Sequence, residues 1–260
     1  MKNWENRVVW ITGASSGIGK AIAIQLAESG ASVTLMSRSE EKLKHIVTNL
    51  PTEVGQEHQY LVVGFTDFDA YKTIIANYFE HNSVDILVNN TQGPAAGNPL
   101  EKDITDYQNA FDLLFKTTVY TTELALKHMQ SMKWGRIINV ASVSVKEPLS
   151  YLALSNTIRA AVTTWAKSLA TAVGPDRITV NNVLTGYFDT DRIAQLNAKK
   201  AEQLGITEAE VLKEMQSRVP LKRIGDPEEY GFLVTFLASD MAAYITGTNI
   251  PIDGGLLKSM

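Results

Sequence analysis

Three glycines in the stretch Thr12–Gly19, TGASSGIG, set the first chemical expectation. Gly13, Gly17 and Gly19 stand between a β-branched run and a helical one. Small residues there let the backbone turn tightly and approach a diphosphate. A helix starting at this point offers the free N–H groups of Ser15, Ser16, Gly17 and Ile18 and the positive end of its dipole. The plain alternative is a tight turn with no ligand. A second cluster lies far downstream, where Tyr151, Ser155 and Arg159 are spaced i, i+4, i+8. On a helix that begins early enough, a phenol, an alcohol and a guanidinium would share one face.

The elements that must hold these groups follow from periodicity. Short apolar runs at 7–12, 32–37, 60–65, 84–90, 135–142, 178–186 and 248–255 read as strands. Helical spacing covers Ile18 to the stop at Gly30, then 70–80, 104–132, 152–173 and 227–239. This alternation predicts an α/β fold, a doubly wound parallel sheet of Rossmann type with about seven strands. No linker or repeat interrupts residues 1–260, so one domain is expected. A stretch at 187–220, rich in Ala, Glu, Lys and Leu, reads as a helical pair on the carboxyl edge of the sheet and a candidate lid.

The strand 32–37 ends in Ser37 and Arg38, with no acid before Glu40. A carboxylate at that place would bond an adenosine ribose, whereas an arginine forks onto a 2′-phosphate. Arg38 therefore favours NADP over NAD; otherwise it is a loop charge facing Glu40 or Glu41.

Composition narrows the classes. Of 260 residues, 45% are hydrophobic and 20% charged, ordinary for a globular protein, and the net charge is −4. That balance argues against a nucleic-acid partner. No apolar run approaches the roughly 20 residues of a membrane helix, no secretory pattern opens the chain, and a cytoplasmic protein is expected. The absence of cysteine rules out disulfides and a thiolate nucleophile. His45, His58, His81 and His128 fall in no motif, the acids show no ligand spacing, and no metal is expected. Trp4, Trp10, Trp134 and Trp165 read as packing residues.

TGASSGIG, ILVNN, GRIINVAS, VNNVLTGYFDT and YITGTNIPIDGG together resemble the short-chain dehydrogenase/reductase family, over nearly the whole chain and in the right order. The likeness is to the branch of 3-oxoacyl-carrier-protein reductases and related alcohol or sugar dehydrogenases. It implies a nucleotide site at Thr12–Gly19. The family's Asn-Asn-Ala-Gly motif falls on Asn89, Asn90, Thr91 and Gln92, with only the asparagines matching and Gly93 following. The acid that contacts adenine falls on Gly64, lost unless Asp67 compensates, and the threonine that meets the nicotinamide falls on Thr190. The resemblance also implies a homo-oligomer, a tetramer or dimer, through the helices near Phe111 to His128 and Asn156 to Thr171.

The catalytic set departs from that pattern. The family's serine is present as Ser142. Its tyrosine, 13 residues on, falls on Ser155; its lysine falls on Arg159; its asparagine falls on Leu114. The phenol of such a set, with an ordinary pKa of about 10, supplies the proton that accompanies hydride transfer. A serine hydroxyl is a much weaker acid and far shorter. A guanidinium keeps the charge without relaying protons. Tyr151, Lys146 with Glu147, and Tyr187 are the candidate substitutes, each with a bland reading as a loop residue. The sequence thus predicts an NAD(P)-dependent oxidoreductase acting on a carbonyl or secondary alcohol with a non-standard proton donor. The alternative is a catalytically impaired NADP-binding protein with a sensing or assembly role. Lyase or isomerase chemistry is a third, weaker possibility.

Overall fold

The computed structural model describes residue 4 and residues 6–259. Its frame is a seven-stranded, wholly parallel sheet in the order β3-β2-β1-β4-β5-β6-β7. The strands are β1 (Val8–Thr12), β2 (Ser32–Ser37), β3 (Gln59–Val62), β4 (Ile86–Asn89), β5 (Gly135–Val140), β6 (Ile178–Thr185) and β7 (Asn249–Ile252). The connecting helices are α1 (Gly17–Glu28), α2 (Glu40–Thr48), α3 (Phe68–His81), α4 (Ile104–Phe111), α5 (Thr117–Met132), α6 (Ala153–Val173), α7 (Asp191–Leu204), α8 (Glu208–Arg218) and α9 (Pro227–Ala238).

Strand alternation sorts the core into two layers. Val9 and Ile11 of β1, Ile86 and Val88 of β4, and Ile138 and Val140 of β5 face one side, under α1 and α9. Trp10, Leu87 and Ile137 face the other, under α3, α5 and α6. Successive side chains on a strand must point to opposite faces, so apolar residues at every position mean burial on both. Strand order reverses between β1, which pairs with β2 on one side, and β4 on the other. A crevice opens at the carboxyl ends there, where such sheets bind ligands.

Two helical features depart from the sequence expectation. Between β2 and β3, where the sequence reading assigns no element, α2 buries Leu43 and Ile46 against the first layer. Its run of nine residues is too short and too charged to stand out. The helix expected over 104–132 is broken by one π turn, Asp112–Lys116, containing Leu114. Such bulges carry no propensity signature and recur at functional sites. The 187–220 stretch folds as α7 and α8, joined by αL Gly205.

A polar row crosses the apolar interior. Asn89, Asn139, Asn182 and Asn249 stand in register on four neighbouring strands. Asn89 donates to Asn139 at 2.9 Å, Asn139 to Asn182 at 2.9 Å, and Asn182 to Asn249 at 2.8 Å. Asn89 also donates to Thr122 of α5 at 3.2 Å. The row satisfies amides that would otherwise be buried without partners.

The histidines and tryptophans are structural. His128 bonds Asp85 at 3.2 Å, and His58 accepts from the Val33 N–H. Trp134 lies between the guanidinium groups of Arg7 and Arg136, and Trp10 packs on Tyr78 and Phe79. Among the described residues, no His, Asp or Glu cluster could hold a metal. No helix is long and apolar enough to cross a membrane.

Candidate active site

The glycine loop is a cradle with no room for side chains. Thr12 Oγ1 accepts from the Asn90 N–H at 2.6 Å and donates to the Asn90 carbonyl at 2.9 Å, locking the ends of β1 and β4 together. Asn90 Nδ2 donates to the Gly13 carbonyl at 3.1 Å. A Cβ on Gly13 would lie 2.3 Å from the Asn90 carbonyl oxygen, and one on Gly19 would lie 2.3 Å from the Gly13 oxygen. Gly13 and Gly17 take φ of +62° and +52°, which other residues adopt at a cost.

Ser16, the N-cap of α1, makes no side-chain capping bond, and the first turn holds no acid. By contrast, Asp67, Thr190 and Thr207 each cap their helices. The first N–H groups of α1, between half-buried Ser15 and Ile18, therefore face the crevice without a protein acceptor. That donor set, at the positive end of a helix, fits a diphosphate. Thr190 closes the far side, its Cγ2 3.0 Å from where a Gly17 Cβ would stand.

On the β2 side, Arg38 is exposed and forms no ion pair with an acid among the described residues. Its Nη2 donates to Gln92 Oε1 at 2.6 Å. A Gly64 Cβ would touch the Arg38 methylenes at 3.5 Å. Asp67 caps α3, its carboxylate accepting from Ala70 N at 3.0 Å. Gly93 is half-buried, with nothing within 4 Å of its missing Cβ.

The chemical centre lies at the ends of β4, β5 and β6. Ser142, half-buried just past β5, accepts from Ser144 N at 3.1 Å through Oγ. Ser155 is buried in the first turn of α6. Arg159, one turn on, donates to the Val140 carbonyl at 2.6 Å and the Thr91 carbonyl at 3.2 Å. Burial of the guanidinium pushes its pKa down to about 10; the Tyr230 phenol opposes that shift and Arg192 adds to it. Leu114, from the π turn, lines a small cavity with Asn89, Thr118, Asn139 and Arg159. The cavity wall that would carry a polar relay group is thus apolar, and the arginine spends its donors on strand-end carbonyls.

Tyr151 does not join Ser155 and Arg159 on a helical face. α6 begins at Ala153, and Tyr151 sits in the preceding turn, where its carbonyl accepts from Gly97 N at 2.8 Å. Leu152 and Gly97 form a one-residue parallel bridge, which fixes this turn against the β4–α4 loop. The Tyr151 ring is 47% exposed, so its phenol is free to meet a substrate. Its pKa is raised, first by partial burial and then by Tyr187, while Arg218 of α8 lowers it. Lys146 is exposed. Glu147 turns away to accept from Lys258 N at 2.8 Å and Ser259 N at 2.7 Å, which holds its carboxylate below the usual range. It straps the C-terminal segment and leaves the site.

Three participants escaped sequence reasoning. Gln92 was visible as a departure in the asparagine motif, but nothing local paired it with Arg38. Arg192, two residues past Thr190, donates to the Pro94 carbonyl at 3.3 Å and joins α7 to the β4–α4 loop. Tyr230, buried in α9, shares a 3.0 Å hydrogen bond with Thr185.

Known proteins are similar to this chain in sequence and fold. Residues 13–257 match the family described as enoyl-(acyl carrier protein) reductase. The chain is 30% identical over 258 residues to the NADPH-dependent reductase BacG of Bacillus subtilis (strain 168), covering 98% of this chain and 99% of that protein. It is 29% identical to the 3-oxoacyl-[acyl-carrier-protein] reductase FabG of Aquifex aeolicus (strain VF5), covering 97% and 98%. The solved structure of L-sorbose reductase from Gluconobacter frateurii, complexed with NADPH and L-sorbose, superposes with a TM-score of 0.92. It is 28% identical, covering 99% of each chain.

Proposed function

The chain belongs to the short-chain dehydrogenase/reductase family, in its 3-oxoacyl-carrier-protein reductase-like branch, and from that premise we propose that it is an NADPH-dependent reductase of a small-molecule carbonyl compound whose proton comes from Tyr151. One observation carries the cofactor reading: the uncapped α1 N-terminus opens into a glycine cradle beside an arginine with no acidic partner. Gly13, Ser15, Ser16, Gly17, Ile18 and Gly19 hold the diphosphate, Arg38 the 2′-phosphate, and Asn90, Gly93 and Thr190 the remaining cofactor edges. NADPH, when bound, supplies a hydride.

Ser142 donates a hydrogen bond to the substrate carbonyl, which polarises it and steadies the oxyanion as it forms. Arg159 adds fixed positive charge beneath the site but returns no proton, because guanidinium groups hold theirs near neutral pH. Ser155, buried and short, lines the site. The proton enters from the lid side, since Leu114 puts an apolar side chain where the π turn would carry a relay group. Of the phenols there, Tyr151 is exposed and Tyr187 half-buried, and Tyr151 is in electrostatic contact with Tyr187 and Arg218. A raised pKa keeps it protonated at neutral pH, as a donor must be.

Residues 1–260 act as one domain, with 187–220 as the lid. The chain self-associates into a dimer or tetramer through the helices that carry the partly buried, mutually stacked Phe111, Phe115 and Trp165, and it acts in the cytoplasm. The second reading, an NADP-binding protein without turnover, draws on the apolar Leu114 and on the carbonyl-tethered Arg159.

NADPH oxidation followed across a panel of ketones, aldehydes and sugars separates the two. The reductase reading expects turnover that Tyr151→Phe lowers at least about 100-fold, the usual worth of a positioned general acid, with NADPH affinity unchanged. Tight NADPH binding with no turnover on any substrate would establish the second reading.

A further inference from the structure

Arg38 leaves β2 and Gln92 follows β4, two strands that flank β1. Their side chains meet across the end of β1, above the glycine loop, at 2.6 Å. Arginine side chains on a surface sample many rotamers, and ordering one costs entropy. Two features restrain this one. Its methylenes lie over Gly64, close enough that a Cβ there would touch them at 3.5 Å. One nitrogen of its fork is held by the Gln92 amide oxygen, a neutral acceptor. A guanidinium has five N–H donors in a rigid plane. Spending one on Gln92 fixes the plane and leaves the others turned to solvent.

We infer that Gln92 is a positioning residue for cofactor specificity: it holds the Arg38 guanidinium ready for the 2′-phosphate of NADPH. The inference rests on the cofactor reading above and extends it to a residue outside the phosphate contact. A neutral acceptor is the right chemistry for this task. A carboxylate at the same place would pair with the arginine, cancel its charge and repel the phosphate. An apolar residue would leave the guanidinium unrestrained. The departures at Gly64 and Gln92 then meet on one residue: the arginine stem lies over the first, and the second fixes its head.

The experiment measures binding of 2′,5′-ADP and of 5′-ADP by calorimetry, so that turnover plays no part. Gln92→Leu, which lacks the acceptor, is expected to weaken 2′,5′-ADP about fivefold, the worth of one ordinary hydrogen bond, with 5′-ADP unchanged. Gln92→Glu is expected to weaken it at least about tenfold through charge neutralisation and repulsion. Added salt should flatten the difference between Gln92→Glu and the unaltered protein. Arg38→Ala is the control. If it removes the preference for 2′,5′-ADP while both Gln92 variants keep it, the role of Gln92 is refuted and the cofactor reading stands. If Gln92→Leu binds 2′,5′-ADP more tightly, the pair is a latch competing with phosphate, and the inference is wrong. If Arg38→Ala itself changes nothing, the cofactor reading fails and this inference with it.

Discussion

Replacing Asn139 by leucine tests whether the asparagine row holds the sheet together beneath the site. Asn139 is 1% exposed and sits between two amides, accepting from Asn89 and donating to Asn182, each at 2.9 Å. Leucine keeps the branched heavy-atom skeleton without the hydrogen-bonding groups, and its bulkier methyls add some crowding to the lost bonds. Asn89 would keep only its bond to Thr122, and the Asn182 oxygen would lose its side-chain donor. An orphaned buried polar group costs about 1–3 kcal/mol. Two such groups give a loss of about 4 kcal/mol, and the fill of the leucine side chain leaves no space for a water to repair it.

With a urea slope of about 2.5 kcal/mol per molar, the unfolding midpoint would fall by about 1.5 M, followed by tryptophan fluorescence. Adding Asn182→Leu should cost less than the sum of the single changes, because its orphaned oxygen is then gone. A loss under about 1 kcal/mol for Asn139→Leu, or strict additivity in the pair, would refute the account of the row as a connected network. Activity offers a second readout. Asn139 shares its cavity with Arg159 and Leu114, so turnover should fall at temperatures where the variant is still folded.

Other outcomes follow from the same geometry. Gly17→Ala places a Cβ 3.0 Å from Thr190 Cγ2 on a residue with φ +52°. It should cost about 1–2 kcal/mol of stability for the αL conformation and weaken NADPH binding, read by thermal shift with and without cofactor. Gly13→Ala meets backbone at 2.3 Å and should leave no soluble folded protein on expression. Glu229 is held down to about 2, first by Arg223 and then by the Asp226 N–H. A carboxylate with a depressed folded pKa stabilises above its unfolded pKa and loses that contribution as pH falls toward about 2. Glu229→Gln should therefore flatten acid unfolding between about pH 4.5 and 2, by no more than about 1 kcal/mol because the pair is exposed. Tyr151, whose pKa is raised first by partial burial, must stay protonated to donate, so kcat/KM should fall as pH rises through the phenol's pKa, and that alkaline limb should be absent in the residual activity of Tyr151→Phe.

What the amino-acid sequence determined by itself is whatever one short stretch encodes. The β-branched runs with apolar residues on both faces could only be buried parallel strands. The glycine spacing in Thr12–Gly19 could only turn a strand into a helix with bare N–H groups. Counting from Ser142 was enough to find Ser155 and Arg159 in place of a phenol and an amine. The tertiary structure decided everything that joins two strands. Only strand order brings Arg38 across β1 to Gln92, and only register aligns four asparagines from positions 89, 139, 182 and 249. The place where α6 begins moved Tyr151 off the helical face and into a turn whose carbonyl accepts from Gly97 N. The carbonyls of Thr91 and Val140 that tether Arg159 are 68 and 19 residues away in sequence. Backbone acceptors carry no residue identity, so no pattern of residue types foretells them. The physical reason for the division is range: dihedral preference and side-chain periodicity act over a few residues, whereas a hydrogen bond between strand ends exists only after the sheet has closed.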